Sequence, residues 1–352
     1  MSQHSKAVKA LSAAALALSL TVTGCSDTSW GAECGGVRMP AGVYINQVLS
    51  AYSSGLGELD NSEETNPWKN TVNGEDFTAW VRTRTQDNVY SYFAAEKKFE
   101  EMGLSLDELT QAQIDYSVEA QWAYYQSTYE ENGIGKESFR KAIENTYKRS
   151  AVFEAIYGEG GSEEVSQEEL LEKFNQEYIS MDRVSLSFLT TDGTLPQEDI
   201  DKLMEKAKGY QQRIEKGEEI QAIAEEYQKE QEEEKAEDSA SGTTTPVENV
   251  NTALVLPREG SSYSATFMEN VTSATPGKPI VFEDDSSVCL VIVNEVTEES
   301  EIFLQNVDYL LSDMKSEEFE QRLIEWGKEL GVSFNSSAVS RYEAKKLKIT
   351  KQ

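Results

Sequence analysis

The chain has 352 residues, with 63 Asp and Glu against 32 Lys and Arg and a formal net charge of −31. An excess of acid this large repels nucleic acid and anionic lipid headgroups, so neither is expected as a direct partner. The only histidine is His4, and no imidazole remains beyond it. That excludes Ser-His-Asp and Cys-His catalysis, His-ligated metals and imidazole proton transfer from the rest of the chain.

Lys6 and Lys9 open the sequence, an uncharged stretch runs from Ala10 to Thr23, and Val22-Thr23-Gly24-Cys25 closes it. The apolar core is too short for a bilayer helix, which takes about 20 residues, and has the layout of a secretory signal peptide over residues 1–24. Gly24 directly before Cys25 resembles the lipobox of bacterial lipoproteins, with Val22 where leucine is commoner. That resemblance implies cleavage before Cys25, acylation of Cys25, and a mature chain held on the extracytoplasmic side of a membrane. Two acyl chains meet the two-signal requirement for stable anchoring. Cleavage would remove two bases and no acid.

Residues 25–72 read as a Gly/Ser-rich tether that gives way to an apolar helix from Ala41 to Tyr52. Phe77, Trp80, Val81, Tyr92, Ala95, Phe99 and Met102 share one face of a 3.6-residue helix, which Gly103 is placed to end. Ser105 and Glu108 form a capping box for a second helix with Ile114, Val118, Trp122, Tyr125 and Tyr129. A third carries Phe139, Ile143, Tyr147 and Ala151. Ser166 and Glu169 form another capping box, opening a helix with Leu170, Leu171, Phe174 and Tyr178. Together, residues 73–179 read as a helical lobe.

The pattern changes at Met181. Residues 184–189 partly alternate, as a strand does. Pro196 suits the first position of a helix whose stripe is Ile200, Leu203, Met204, Ala207, Tyr210 and Ile214. Ile220, Ile223, Ala224 and Tyr227 suggest a shorter helix beyond Gly217. Residues 228–246 are charged, then Ser/Thr/Gly-rich, the composition of a flexible insert. Strands are expected over 253–256, 279–282 and 288–296. A helix over 302–330 carries Phe303, Val307, Leu310, Leu311, Met314 and Leu323, a stripe that needs a partner. The fold class is α+β, with residues 299–352 completing the helical lobe around an inserted 180–298 segment.

The order of VSQEELLEKFNQEY, DRVSLSFL, IEKGEEIQAIAEEY and ATFMENVTSATPGKPIVFEDDSSVCLVIV, behind a lipobox, resembles the PrsA-like parvulin-type foldase lipoproteins related to SurA. The resemblance covers residues 70–330. It implies a helical chaperone lobe with an inserted parvulin-like domain, unfolded or newly exported polypeptides as partners, and no cofactor or metal. Carried over motif by motif, the family's two pocket histidines fall on Leu186 and Cys289, and its pocket phenylalanine on Phe267. The family's Gly-rich segment has no counterpart between Thr252 and Tyr263. This pattern implies a degenerate isomerase pocket.

Candidate client-binding side chains are Tyr92, Trp122, Tyr125 and Tyr129, since aromatics offer large contact area to varied partners. Cys289, between apolar strand residues, reads as an inert buried thiol. Pairing of Cys34 with Cys289 stays open, as does a homodimer. Two other functions remain: an active isomerase with a pocket lacking histidine, and a solute-binding lipoprotein. The latter requires alternating strands and helices in two α/β lobes.

Overall fold

The computed structural model describes residues 29–61, 63–190, 193–238 and 250–348. The signal-peptide and lipobox residues, Cys25 among them, lie outside these. The protein is α+β, and its chain divides into two compact units. One comprises Met1–Val152 and Gln321–Gln352, the other Phe153–Glu320.

The first unit opens with β1 (Trp30–Cys34) and β2 (Val37–Pro40). Gly35 and Gly36 join them at φ of 55° and 84°. Two consecutive residues at positive φ make a hairpin turn that glycine alone adopts at little cost. A hairpin therefore stands where the sequence suggests only a tether, followed by α1 (Ala41–Gly57). The short strands β3 (Thr71–Val72) and β4 (Glu75–Asp76) lead into α2 (Phe77–Glu101). Asp76 caps α2 by accepting from the amides of Thr78 and Ala79. The next helix, α3 (Glu108–Glu131), starts later than the Ser105 box predicts, because Asp107 is its cap and accepts from Thr110 N at 2.8 Å. A fourth helix, α4 (Lys136–Tyr157), follows.

In the second unit, α5 (Gln167–Glu177) begins with the predicted capping box between Ser166 and Glu169. Strand β5 (Tyr178–Ser187), the pair β6 (Leu189–Thr190) and β7 (Gly193–Thr194), then α6 (Gln197–Ile214) and α7 (Ile220–Asp238) come next. Pro196 caps α6 rather than occupying its first turn. The acidic run expected to be a flexible insert continues α7 as far as Asp238, and residues 239–249 lie outside the described set. Strand β8 (Val250–Pro257), α8 (Ala265–Ser273), β9 (Pro279–Glu283) and β10 (Ser287–Val293) complete an antiparallel sheet in the order β8-β5-β10-β9.

That sheet has two apolar faces, because successive strand residues point to opposite sides. Val184, Leu186, Phe188, Val288 and Leu290 pack with Ile200, Ala207, Tyr210 and Ile223 of α6 and α7. Ile179, Met181, Cys289, Val291 and Val293 pack with Phe267 and Val271 of α8. Beyond the sheet, α9 (Glu301–Leu304) and α10 (Val307–Glu329) carry the predicted C-terminal stripe. Phe303, Leu310, Leu311 and Leu323 are buried, whereas Val307 and Met314 are half-buried. Within this unit Phe303 meets the Phe174 ring edge-on at 6.3 Å, and Phe319 meets Phe153 at 5.2 Å.

The end of α10 returns to the first unit. There β11 (Ser333–Phe334) pairs with β1, Ala32 opposite Phe334, and α11 (Ser336–Arg341) follows. Gly327 lies so close to α2 that a Cβ would stand 2.2 Å from the Tyr90 carbonyl oxygen. Cys34 and Cys289 are both free thiols. Among the described residues no helix is long and apolar enough to cross a membrane.

Candidate functional site

Leu186, Phe267 and Cys289, the positions carried over from the resemblance, all lie in the second unit. Phe267 and Cys289 come together on one face of the sheet, but Leu186 does not join them. It is fully buried on the opposite face. The antiparallel register explains this: Cys289 lies opposite Ser185, and Leu186 opposite Val288. Ser185, one residue earlier than the carried-over position, therefore occupies the place beside Cys289.

The resulting cluster is small and buried. Cys289 Sγ lies 3.4 Å from Ser287 Oγ and 3.9 Å from Ser185 Oγ. Burial pushes the Cys289 thiol above its ordinary value of 9.0, although both serine hydroxyls pull it down. A thiol held protonated in this way is a poor nucleophile. Phe267 has no exposed surface. The Tyr263 ring stacks on it with centroids 4.5 Å apart, and Phe282 meets it at 5.5 Å. The Arg183 guanidinium stands 5.2 Å from the Tyr263 ring centre and 5.8 Å from that of Phe267. Ser264 fixes the entrance to α8, accepting from Phe267 N at 2.9 Å while its hydroxyl donates to Asp284. The aromatic face is thus covered by side chains of the same domain.

Tyr263, Arg183, Ser185 and Ser287 were not singled out from sequence. Tyr263 had a signal, since it directly precedes the N-cap Ser264, where an apolar residue often packs back onto the first turns. Ser185 had none, because strand register is not written in either strand alone.

The four aromatic candidates of the first unit separate into three settings. Tyr125 and Tyr129 line an open cavity of about 910 Å³ together with Leu49, Tyr52, Leu56 and Phe139. Trp122 is buried beneath it, packing on Tyr129 at 5.8 Å and Phe139 at 5.9 Å. Burial and the neighbouring Tyr125 raise the Tyr129 phenol above 10.0. Tyr92 lies elsewhere, in a smaller cavity of about 480 Å³ beside Glu96, Glu144 and Lys148. Burial, reinforced by the Glu96 and Glu144 carboxylates, pushes its phenol far up. Tyr52 and Phe139 also line the cavity, although the sequence marks them as helix positions and not as client-binding candidates. Both sit on helix faces that also feed the core, so spacing alone does not distinguish wall from core.

Among the described residues no group of three or more His, Cys, Asp or Glu side chains could hold a metal ion. No protein-family model matches the chain, and no curated protein does. Among solved structures the chain is similar to the foldase protein PrsA from Lactococcus lactis, at 13% identity over 91% of this chain and 100% of that one, with a TM-score of 0.33. It is also similar to PrsA from Streptococcus pneumoniae, at 13% identity over 77% and 98% with a TM-score of 0.33. For PrsA from Bacillus subtilis the identity is 13%, over 79% and 88%, and the TM-score 0.25. Likeness at these TM-scores leaves function to be argued from the residues themselves.

Proposed function

We propose that the protein is a membrane-anchored, extracytoplasmic chaperone that holds exported polypeptides, and that its parvulin-like domain does not isomerise prolines efficiently. The observation that carries this reading is the aromatic cavity of the first unit. It is about 910 Å³, open, and lined by Tyr52, Tyr125, Tyr129 and Phe139 among small polar residues such as Asn46, Ser50 and Thr146. Aromatic rings on a rigid helical frame bind apolar segments without demanding one sequence. Acylation of Cys25 places this surface where exported chains emerge.

The covered pocket supports the second half of the reading. An isomerase must lower a barrier of about 18–20 kcal/mol by binding the twisted amide better than the planar one. Here the Tyr263 ring stacks on Phe267, which has no exposed surface of its own to offer a proline, and among the described residues Cys289 has only two serine hydroxyls as side-chain hydrogen-bond partners. A solute-binding lipoprotein is disfavoured because the four-stranded sheet pairs antiparallel throughout. The test is aggregation of an unfolded client in the presence of the mature chain, run beside a protease-coupled proline-peptide assay. Suppression at stoichiometric ratios without acceleration of isomerisation is expected. Failure to suppress aggregation would remove the chaperone reading, and clear acceleration would remove the second half.

A further inference from the structure

The acidity of this chain is not uniform. Between Arg341 and Lys348 the sequence RYEAKKLK carries four bases and a single acid, Glu343. Arg341, Lys345, Lys346 and Lys348 are all exposed. The segment is fixed to the first unit rather than trailing from it. Lys348 N donates to Asn132 Oδ1 at 2.7 Å, and Asn132 Nδ2 donates back to the Lys348 carbonyl at 2.9 Å. Lys346 pairs with Glu343 at 3.4 Å and donates to the Ser340 carbonyl at 2.6 Å. The Lys345 ammonium stands 5.6 Å from the Trp68 ring centre.

This basic segment adjoins the place where the N-terminal chain joins the unit. Ser29 Oγ lies 3.4 Å from the Tyr342 hydroxyl, and Asn335 Nδ2 donates to the Trp30 carbonyl at 2.8 Å. Ala41 N holds the Ser29 carbonyl at 3.1 Å. Only residues 26–28 separate Ser29 from Cys25, and four peptide steps reach at most about 14 Å. An acylated Cys25 lies at headgroup level, so Ser29 and its neighbour Tyr342 are kept close to the bilayer.

We propose that Arg341, Lys345, Lys346 and Lys348 form a membrane-apposed surface that seats the first unit on anionic lipid headgroups beside its own anchor. The proposal rests on the reading of Cys25 as the anchored residue. Net charge argues against contact with an anionic surface, but screening over about 8 Å makes the nearest charges count most. A short tether chooses which face is nearest, and here it chooses the basic one.

The experiment uses the chain from residue 25 onward with Cys34→Ala, Cys289 being buried. Cys25 is coupled to a maleimide-bearing lipid in vesicles of phosphatidylcholine, with or without phosphatidylglycerol. An amine-reactive reagent and peptide mass spectrometry then read each lysine. Lys345, Lys346 and Lys348 should react about five-fold more slowly, or slower still, on the anionic vesicles, and molar salt should abolish the difference. Equal rates on the two surfaces would overturn the proposal. So would slowing that survives molar salt, or that a soluble polyphosphate reproduces equally well. Because the lipid is attached chemically, this outcome is independent of acylation in cells. Mass spectrometry of Cys25 from membrane-extracted protein tests that reading separately.

Discussion

Ser185 and Cys289 face each other across the β5–β10 pair, with Oγ and Sγ 3.9 Å apart on the side of the sheet that carries Phe267. Leu186, the next residue, is turned into the α6–α7 core. A histidine at the two positions should therefore behave differently. Leu186→His buries an imidazole among apolar groups and should cost about 3 kcal/mol or more. Ser185→His adds volume beside Phe267 and should cost about 1–2 kcal/mol. Urea denaturation measures both, and equal costs would contradict the register.

The cavity aromatics should separate client holding from folding. Tyr125 is 38% exposed and Trp122 only 8%. Tyr125→Ala should weaken suppression of client aggregation several-fold while changing stability by less than about 1 kcal/mol. Trp122→Ala removes a ring that packs on Tyr129 and Phe139 and should cost about 3–5 kcal/mol. Aggregation assays and thermal unfolding of both variants would show whether the two effects part.

Gly327 tests the closure of the first unit by the end of α10. A methyl group there would meet the backbone of Tyr90 at 2.2 Å, and backbone does not swing aside as a side chain does. Gly327→Ala should destabilise the first unit by about 1–3 kcal/mol, although alanine is ordinarily the better helix former. A raised melting temperature would mean that the two helices are not in contact there.

Alkaline pH should weaken the second unit. Burial holds the Cys289 thiol protonated above 9.0, whereas the unfolded chain releases that proton near the ordinary value. The native state then binds more protons, so stability falls as pH rises. The contribution is intact below the unfolded pKa and is lost as pH climbs through the folded one, with a slope approaching about 1.4 kcal/mol per pH unit. Cys34 is also raised by burial, so Cys34→Ala is the background. Denaturation from about pH 8 to about pH 10 should show the slope there, and adding Cys289→Ala should remove it. Tyr44 and Tyr178, both pushed up from 10.0 to about 12, begin to add their own slope as pH nears the unfolded value of 10.0, so the Cys289 difference is read below that.

Long helices were legible because their signals are local. The Phe77 stripe, Gly103 and the Ser166–Glu169 box each sit within a turn or two of what they specify. Gly35-Gly36 between short runs is a usable signal for the β1–β2 hairpin, but the surrounding glycines and serines give the whole stretch the composition of a tether. Ser105 and Asp107 are both good caps, and sequence alone did not rank them. The acidic run of α7 shows the same limit, since charged residues suit a solvated helix as well as a loop. Least legible was what depends on pairing distant segments: the partner of Cys289, the ring over Phe267, and the face that Leu186 adopts.

The pairing of β1 with β11 joins residues about 300 positions apart. In a chain synthesised from its N-terminus, the three-stranded sheet and the α2–α10 contact at Gly327 wait for the last thirty or so residues. The second unit, one continuous stretch of sequence, has all its strands available before then. Order of emergence thus sets the order of completion: the inner segment can settle while the outer one still lacks its final strand. Pairing this distant carries a large loop-closure cost and slows folding. A protein proposed to help other chains fold would itself spend its first moments with an apolar α1–α2 face uncovered.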